Sequence, residues 1–190
     1  MQNLIKAIKK YIVLSEKDIN IIEQLFVKKE LKVNDYLLKE GEVCKEFAYI
    51  EHGLFRHNII NDGKEETFYF STECDFVCDY DSFINRTISK KSLIALEDTT
   101  IYSISYNNMQ LFYNEVTSGE RFGRLFIEET FNKAINHIIS SYTDTAEQRY
   151  LNFMSSFKHI QQRIPQYYIA SFVGVTPQSL SRIRRQLSKR

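Results

Sequence analysis

The segment from Ile164 to Arg190, IPQYYIASFVGVTPQSLSRIRRQLSKR, constrains this chain more than any other. Two short runs of helical apolar period meet at Gly174. The second opens on Thr176 and Pro177. The hydroxyl can accept from first-turn amides, and the fixed φ of proline suits the first helical position. Ala170, Gly174, Leu180 and Ile183 supply the small residue, the tight turn and the two apolar anchors that steeply crossing helices require. The pattern predicts a helix-turn-helix, whose second helix is a type of element that enters the major groove of DNA.

Charge supports that reading. The chain has 190 residues and a net charge of +1. From Gln148 onward it carries eight Lys or Arg and no acid, whereas the first 147 residues hold 17 basic against 24 acidic side chains. A segment of +8 on a body of −7 fits a nucleic-acid surface joined to a non-binding domain. The opening Met-Gln-Asn-Leu-Ile-Lys lacks the apolar run of a secretory signal. The longest uncharged stretch, Ile164–Ser181, holds both prolines and several hydroxyls, so it does not read as a membrane span. A cytoplasmic protein without a membrane partner is expected.

Upstream, the pattern changes twice. Leu4 to Ile12 reads as a short amphipathic helix, and Ser15 with Asp18 three residues on starts another. From Leu31 to Ser105, short runs rich in Val, Ile, Tyr, Phe and Thr alternate with Gly, Asn and Asp turns. Asn61-Asp62-Gly63-Lys64 is a hairpin signal, and seven or eight such strands suggest a β-barrel or double-sheet jelly roll. Ser105–Asn114 reads as a short helix. A long helix over Ser118–Tyr142 carries Ile127, Phe131, Ala134 and Ile138 at steps of four, three and four, the seam of a helix that meets a second copy. Phe122, Leu125, Phe126, Ile135 and Ile139 form an adjacent stripe, expected to pack on the barrel, so that both faces are buried. Tyr142-Thr-Asp-Thr breaks the period as a hinge. The expected organisation is N-terminal helices and sensory barrel over 1–117, dimerisation helix over 118–142, and helix-turn-helix domain over 143–190. The fold class is α+β.

This order, with Leu37–Glu42, Phe47–Gly53, Asp62-Gly63, Asp98–Ser105 and above all Gly174–Arg185, resembles the Crp/Fnr superfamily of bacterial transcription regulators, in its branch common in Bacteroidetes. The resemblance implies a homodimer, a cyclic-nucleotide-binding-like barrel and palindromic double-stranded DNA sites, with RNA polymerase as a further partner. In members that bind cyclic AMP, a Gly-Glu pair and an Arg-Ser or Arg-Ala pair hold the ribose hydroxyl and the phosphate. Here Cys78-Asp79 stand at the first place and Ser89-Lys90 near the second. No cyclic AMP response and no cofactor are expected. Asp79 and Lys90 are the remaining ligand-site candidates, with Asp79 otherwise a solvated loop acid. Relatives continue into a β-hairpin wing, whereas this sequence reaches Arg190 without a full one, leaving Lys189 and Arg190 as substitutes.

The resemblance places Thr176, Gln178, Ser179, Arg182 and Arg185 at the DNA. Gln178 suits adenine and Arg182 suits guanine O6 and N7. Arg185 suits phosphate, and Arg184 ranks below Arg182. Cys44, Cys74 and Cys78 read as buried structural thiols, and no residue set reads as catalytic or metal-binding. The chain is therefore expected to be a regulator and not an enzyme. The alternative is a ligand-binding regulatory module that has lost DNA binding.

Overall fold

A computed structural model describes residues 1–189; Arg190, named above as a wing substitute, lies outside the described residues. The chain opens with α1 (Gln2–Lys9) and α2 (Glu16–Leu25). Ser15 accepts from the Asp18 amide and Asp18 bonds back to the Ser15 backbone, so the second helix starts on a full capping box.

Eight strands follow, as the turn spacing predicts: β1 (Val27–Leu31), β2 (Tyr36–Leu38), β3 (Glu46–His52), β4 (Leu54–Asn61), β5 (Lys64–Thr72), β6 (Phe76–Val77), β7 (Ser92–Ala95) and β8 (Thr99–Ser105). They form two four-stranded sheets, ordered β1-β8-β3-β6 and β2-β7-β4-β5. This is the double-sheet barrel of a jelly roll. The β4–β5 turn has positive φ at Asp62 and Gly63, as a tight hairpin on right-twisted strands requires. A six-residue helix, α3 (Tyr80–Asn85), follows β6 and has no counterpart in the sequence reading.

The helices after the barrel are α4 (Tyr106–Glu115), α5 (Gly119–Thr143), α6 (Ala146–Ser156), α7 (Gln166–Val173) and α8 (Pro177–Leu187). Ser105, Thr145 and Thr176 accept from first-turn amides of α4, α6 and α8, which fixes those starts.

The chain forms two compact units. One comprises Met1–His57 and Phe70–Phe131; the other joins Asn58–Tyr69 to the residues from Asn132 onward. Part of α5 and the distal end of the β4–β5 hairpin thus belong to the second unit. In the first unit, Phe47 and Tyr49 on β3 meet Phe76, and Phe47 and Phe76 meet Phe126 of α5 at 5.4 and 5.3 Å between ring centroids. Phe122 joins this ring cluster through Phe76 and Phe112. Tyr11 donates to Glu129 Oε2 at 2.6 Å. In the second unit the Thr67 amide donates to Ser171 Oγ at 2.8 Å and Tyr69 meets Phe157 edge-on.

The expected burial of both faces of α5 is corrected in part. Phe122 is buried and Leu125 and Phe126 are half-buried, but Ile135 and Ile139 of the same stripe are exposed. The barrel-facing stripe is covered only along the first turns of the helix. The cysteines also depart from expectation. Cys44 is buried and Cys78 half-buried, but Cys74 is exposed at φ +70 in a turn.

Gly53 joins β3 to β4 at φ +119, and a Cβ there would stand 2.2 Å from Thr99 Oγ1. Gly63 also has positive φ, but a Cβ there would meet nothing within 4 Å. Gly53→Ala should therefore cost about 3 kcal/mol or more, from strain plus overpacking, against about 1–2 kcal/mol for Gly63→Ala. Urea unfolding of the two variants checks this, and equal losses would contradict it.

Candidate functional site

The C-terminal helix pair is built from local signals. Gly174 ends α7 in the left-handed conformation at φ 73°. The Val175 amide reaches the Ala170 carbonyl at 2.9 Å, closing the turn that glycine allows. Thr176 then caps α8, with Pro177 at its first position. Ala170, Val173, Leu180 and Ile183 are buried, so the small residue and the anchors lie where the sequence pattern requires them. Arg149 of α6 donates from Nε to the Val173 carbonyl and from Nη1 to the Asp144 carbonyl, both at 2.8 Å. It holds the end of α7 and the residue after α5 to α6. Asp144 also accepts from Ser140 and Asn152, so the segment expected to act as a hinge is tied by several hydrogen bonds.

Burial of Leu180 and Ile183 turns the opposite face of α8 to solvent. Gln178, Arg182 and Arg185, spaced four and three apart, are all exposed on that face. The side chains of Arg182 and Arg185 make no hydrogen bond or ion pair among the described residues. Thr176 and Ser179 are partly committed: the Thr176 hydroxyl accepts from the Ser179 amide and donates to Ser179 Oγ at 3.1 Å. Arg184 Nη1 donates to Gln166 Oε1 of α7, so its guanidinium is engaged within the pair. The basic tail thus divides into cations that hold the domain together and cations presented outward.

On α5, Ile127 is half-buried, whereas Phe131, Ala134 and Ile138 are exposed, Phe131 at 62% and Ile138 at 50%. Ile139 and Tyr142 extend this apolar surface.

The barrel interior holds a polar cluster that the sequence reading did not foresee. Asp79 is not a solvated loop acid: it is 4% exposed. Ser89 Oγ donates to its Oδ2 and Lys91 Nζ pairs with its Oδ1, both at 2.7 Å. Lys90 is exposed and takes no part. Lys91 takes the place expected of it: the chain bends at Lys90, and the Lys91 amide donates to Ser89 Oγ at 2.9 Å, which brings Lys91 to the side of Ser89 and Asp79. On β4, His57 is buried with Nε2 2.8 Å from Ser71 Oγ, whereas its neighbour Arg56, 1% exposed, lies on the opposite face of the strand. Burial, aided by the Lys91 ammonium, pushes the His57 pKa down to about 3 despite Asp79. The imidazole is therefore neutral at ordinary pH. Burial likewise pushes the Cys78 thiol well up, so it is not a reactive thiolate.

His52, Glu73 and Glu97 place one ligand atom each within 4.8 Å of one another, a spacing one divalent ion could bridge. The group is also explained without an ion: Gly53 N–H donates to Glu73 Oε1 at 3.0 Å and His52 Nδ1 lies 3.4 Å from the same oxygen. Among the described residues, no helix is long and apolar enough to cross a membrane.

Residues 28–116 match the cyclic nucleotide-binding domain family. No curated protein matches the chain in sequence. Solved structures match its fold. FixK2 from Bradyrhizobium japonicum aligns with a TM-score of 0.74 at 14% identity, over 86% of this chain and 85% of that one. A regulator of the Crp/Fnr family from Eubacterium rectale aligns at 0.70 and 14%, over 92% and 84%. CLP, a c-di-GMP-responsive global regulator from Xanthomonas campestris, aligns at 0.69 and 13%, over 92% of each.

The burial of His57 has a pH signature. Its folded pKa lies below the unfolded value, so the unfolded chain takes up the proton first. The stability it contributes is complete above its ordinary value of 6.5 and is lost as pH falls from there toward about 3. His57→Gln should flatten the stability–pH curve between pH 6.5 and 4.5 by up to about 1.4 kcal/mol per pH unit. Denaturant titrations at several pH values test this; parallel curves for the two proteins would contradict it.

Proposed function

We propose that this chain, which carries a cyclic nucleotide-binding domain within the fold of the Crp/Fnr regulators, is a sequence-specific DNA-binding transcription regulator that acts as a homodimer. The observation that carries the reading is the outer face of α8. It is a capped helix whose two unengaged arginines and Gln178 point away from the domain core. Arginine pairs bidentately with guanine and glutamine with adenine, so this face holds groups that discriminate bases as well as phosphate. Gln178 and Arg182 read base edges, Arg185 lies against the phosphate backbone, and Thr176 and Ser179 flank the entry of the helix. The proposed dimer face is the exposed run of Phe131, Ala134 and Ile138 that continues from Ile127. Two such heads would select inverted half-sites about one helical turn apart. Communication with RNA polymerase completes the regulatory role, and no catalysis is assigned.

Independence of cyclic AMP is part of the proposal. What supports it is the Asp79–Lys91 pair with Ser89 at 2.7 Å. A phosphate entering there would meet a carboxylate in place of glycine amides. The nearest lysine already pairs with that carboxylate, and Asp79, itself buried, would lose its counter-charge if Lys91, 40% exposed, turned to a phosphate. A second reading, a regulatory module without DNA binding, gains nothing from α8, where an inactive face would have no need of exposed, unpaired arginines.

The two arginines separate base reading from backbone attraction. Arg182→Ala should narrow the affinity gap between a matched and a scrambled duplex by about 1–3 kcal/mol. Arg185→Ala should weaken both duplexes alike and lower the salt slope by about one. Gel shifts on both duplexes across salt concentrations decide the matter. Identical effects of the two variants would contradict the assignment, and no retardation of the wild-type protein at low salt would remove DNA binding altogether.

A further inference from the structure

The linker between α1 and α2 and the turn before α5 border an open surface cavity of about 410 Å³, all within the first compact unit. That volume suits a small ligand. Its charged lining is unbalanced: Lys9, Lys10 and Arg121 stand against a single carboxylate, Asp18. All three cations are exposed, and none of their side chains makes a hydrogen bond or ion pair among the described residues.

Asp18 does not fill the role of counterion. Its Oδ1 accepts the Thr117 amide at 2.7 Å, and its Oδ2 accepts the Ser15 amide at 2.9 Å and the Ser15 hydroxyl at 2.6 Å. It is 2% exposed and committed to joining the start of α2 to the turn before α5. Burial alone would raise its pKa; the hydrogen bonds from Ser15 and Thr117 outweigh that effect and hold the carboxylate ionised. Ser118 adds a hydroxyl to the lining, and Val13, 90% exposed, adds an apolar edge.

We infer that this cavity binds a small phosphorylated ligand, with the phosphate held by Lys9, Lys10 and Arg121 and an apolar portion against Val13. Three unpaired cations exceed what one carboxylate group of a ligand would neutralise. They suit a dianionic phosphate with several acceptor oxygens, which arginine can grip with two parallel bonds. The site is separate from the barrel interior around Asp79. It does not depend on the DNA-binding reading.

Pyrophosphate is the probe, titrated into the full chain at constant ionic strength while amide ¹H–¹⁵N shifts are followed. The expected result is saturable shifts at Ser118 and Arg121. Arg121→Gln or Lys10→Gln should each weaken the binding about tenfold, the size of one lost charge-assisted hydrogen bond. Lys10→Arg should retain it, and unchanged melting curves would exclude misfolding as the cause. Shifts confined to α7 and α8, where other cations lie, would overturn the inference. So would shifts at Ser118 and Arg121 that keep the same midpoint in Arg121→Gln.

Discussion

α5 has more apolar surface than one chain covers. Its first turns bury Phe122 and engage Phe126 in the ring cluster with Phe47 and Phe76. Further along, Phe131, Ile138, Ile139 and Tyr142 face solvent, the last at 86% exposure. Burying one such side chain is worth about 1.5–3 kcal/mol, and a contiguous row of them on a monomer marks an interaction surface. A second α5 is the occupant that the proposed function requires. A seam with steps of four, three and four suits a like helix across a two-fold axis. In that arrangement two copies of α8 are presented together, and neither needs to supply all of the affinity.

The C-terminal pair was legible in the sequence because its determinants are local. Gly174, Thr176 and Pro177 fix a turn, a cap and a first helical position within four residues, and Leu180 and Ile183 mark the buried side. The capping box at Ser15 and Asp18 and the Asp62-Gly63 hairpin were legible for the same reason. Domain-scale features were less so. The distal β4–β5 hairpin groups with the C-terminal helices through Thr67, Ser171, Tyr69 and Phe157, contacts about a hundred residues apart that no periodicity reports.

The barrel interior was the least legible part. Asp79 lies in a loop-like stretch between a two-residue strand and a six-residue helix, and nothing nearby announces that it is buried. Its partners, Ser89 and Lys91, come from the far side of that helix. Lys91 rather than Lys90 reaches Asp79 because the chain bends at Lys90 and the Lys91 amide bonds back to Ser89 Oγ, a turn that no periodicity reports. Among the tail cations, sequence could count eight but could not divide them. Arg149 and Arg184 are consumed by a backbone carbonyl pair and by Gln166, and Arg182 and Arg185 are not.

The proposed function requires two chains to pair through α5 and set two copies of α8 on one duplex. Sedimentation equilibrium of the protein with a labelled duplex bearing an inverted repeat measures that stoichiometry directly. Two chains per duplex are expected, falling to one or to no binding when Phe131 and Ile138 are both changed to Asp. A wild-type complex of one chain per duplex, with the same affinity in the double variant, would contradict it.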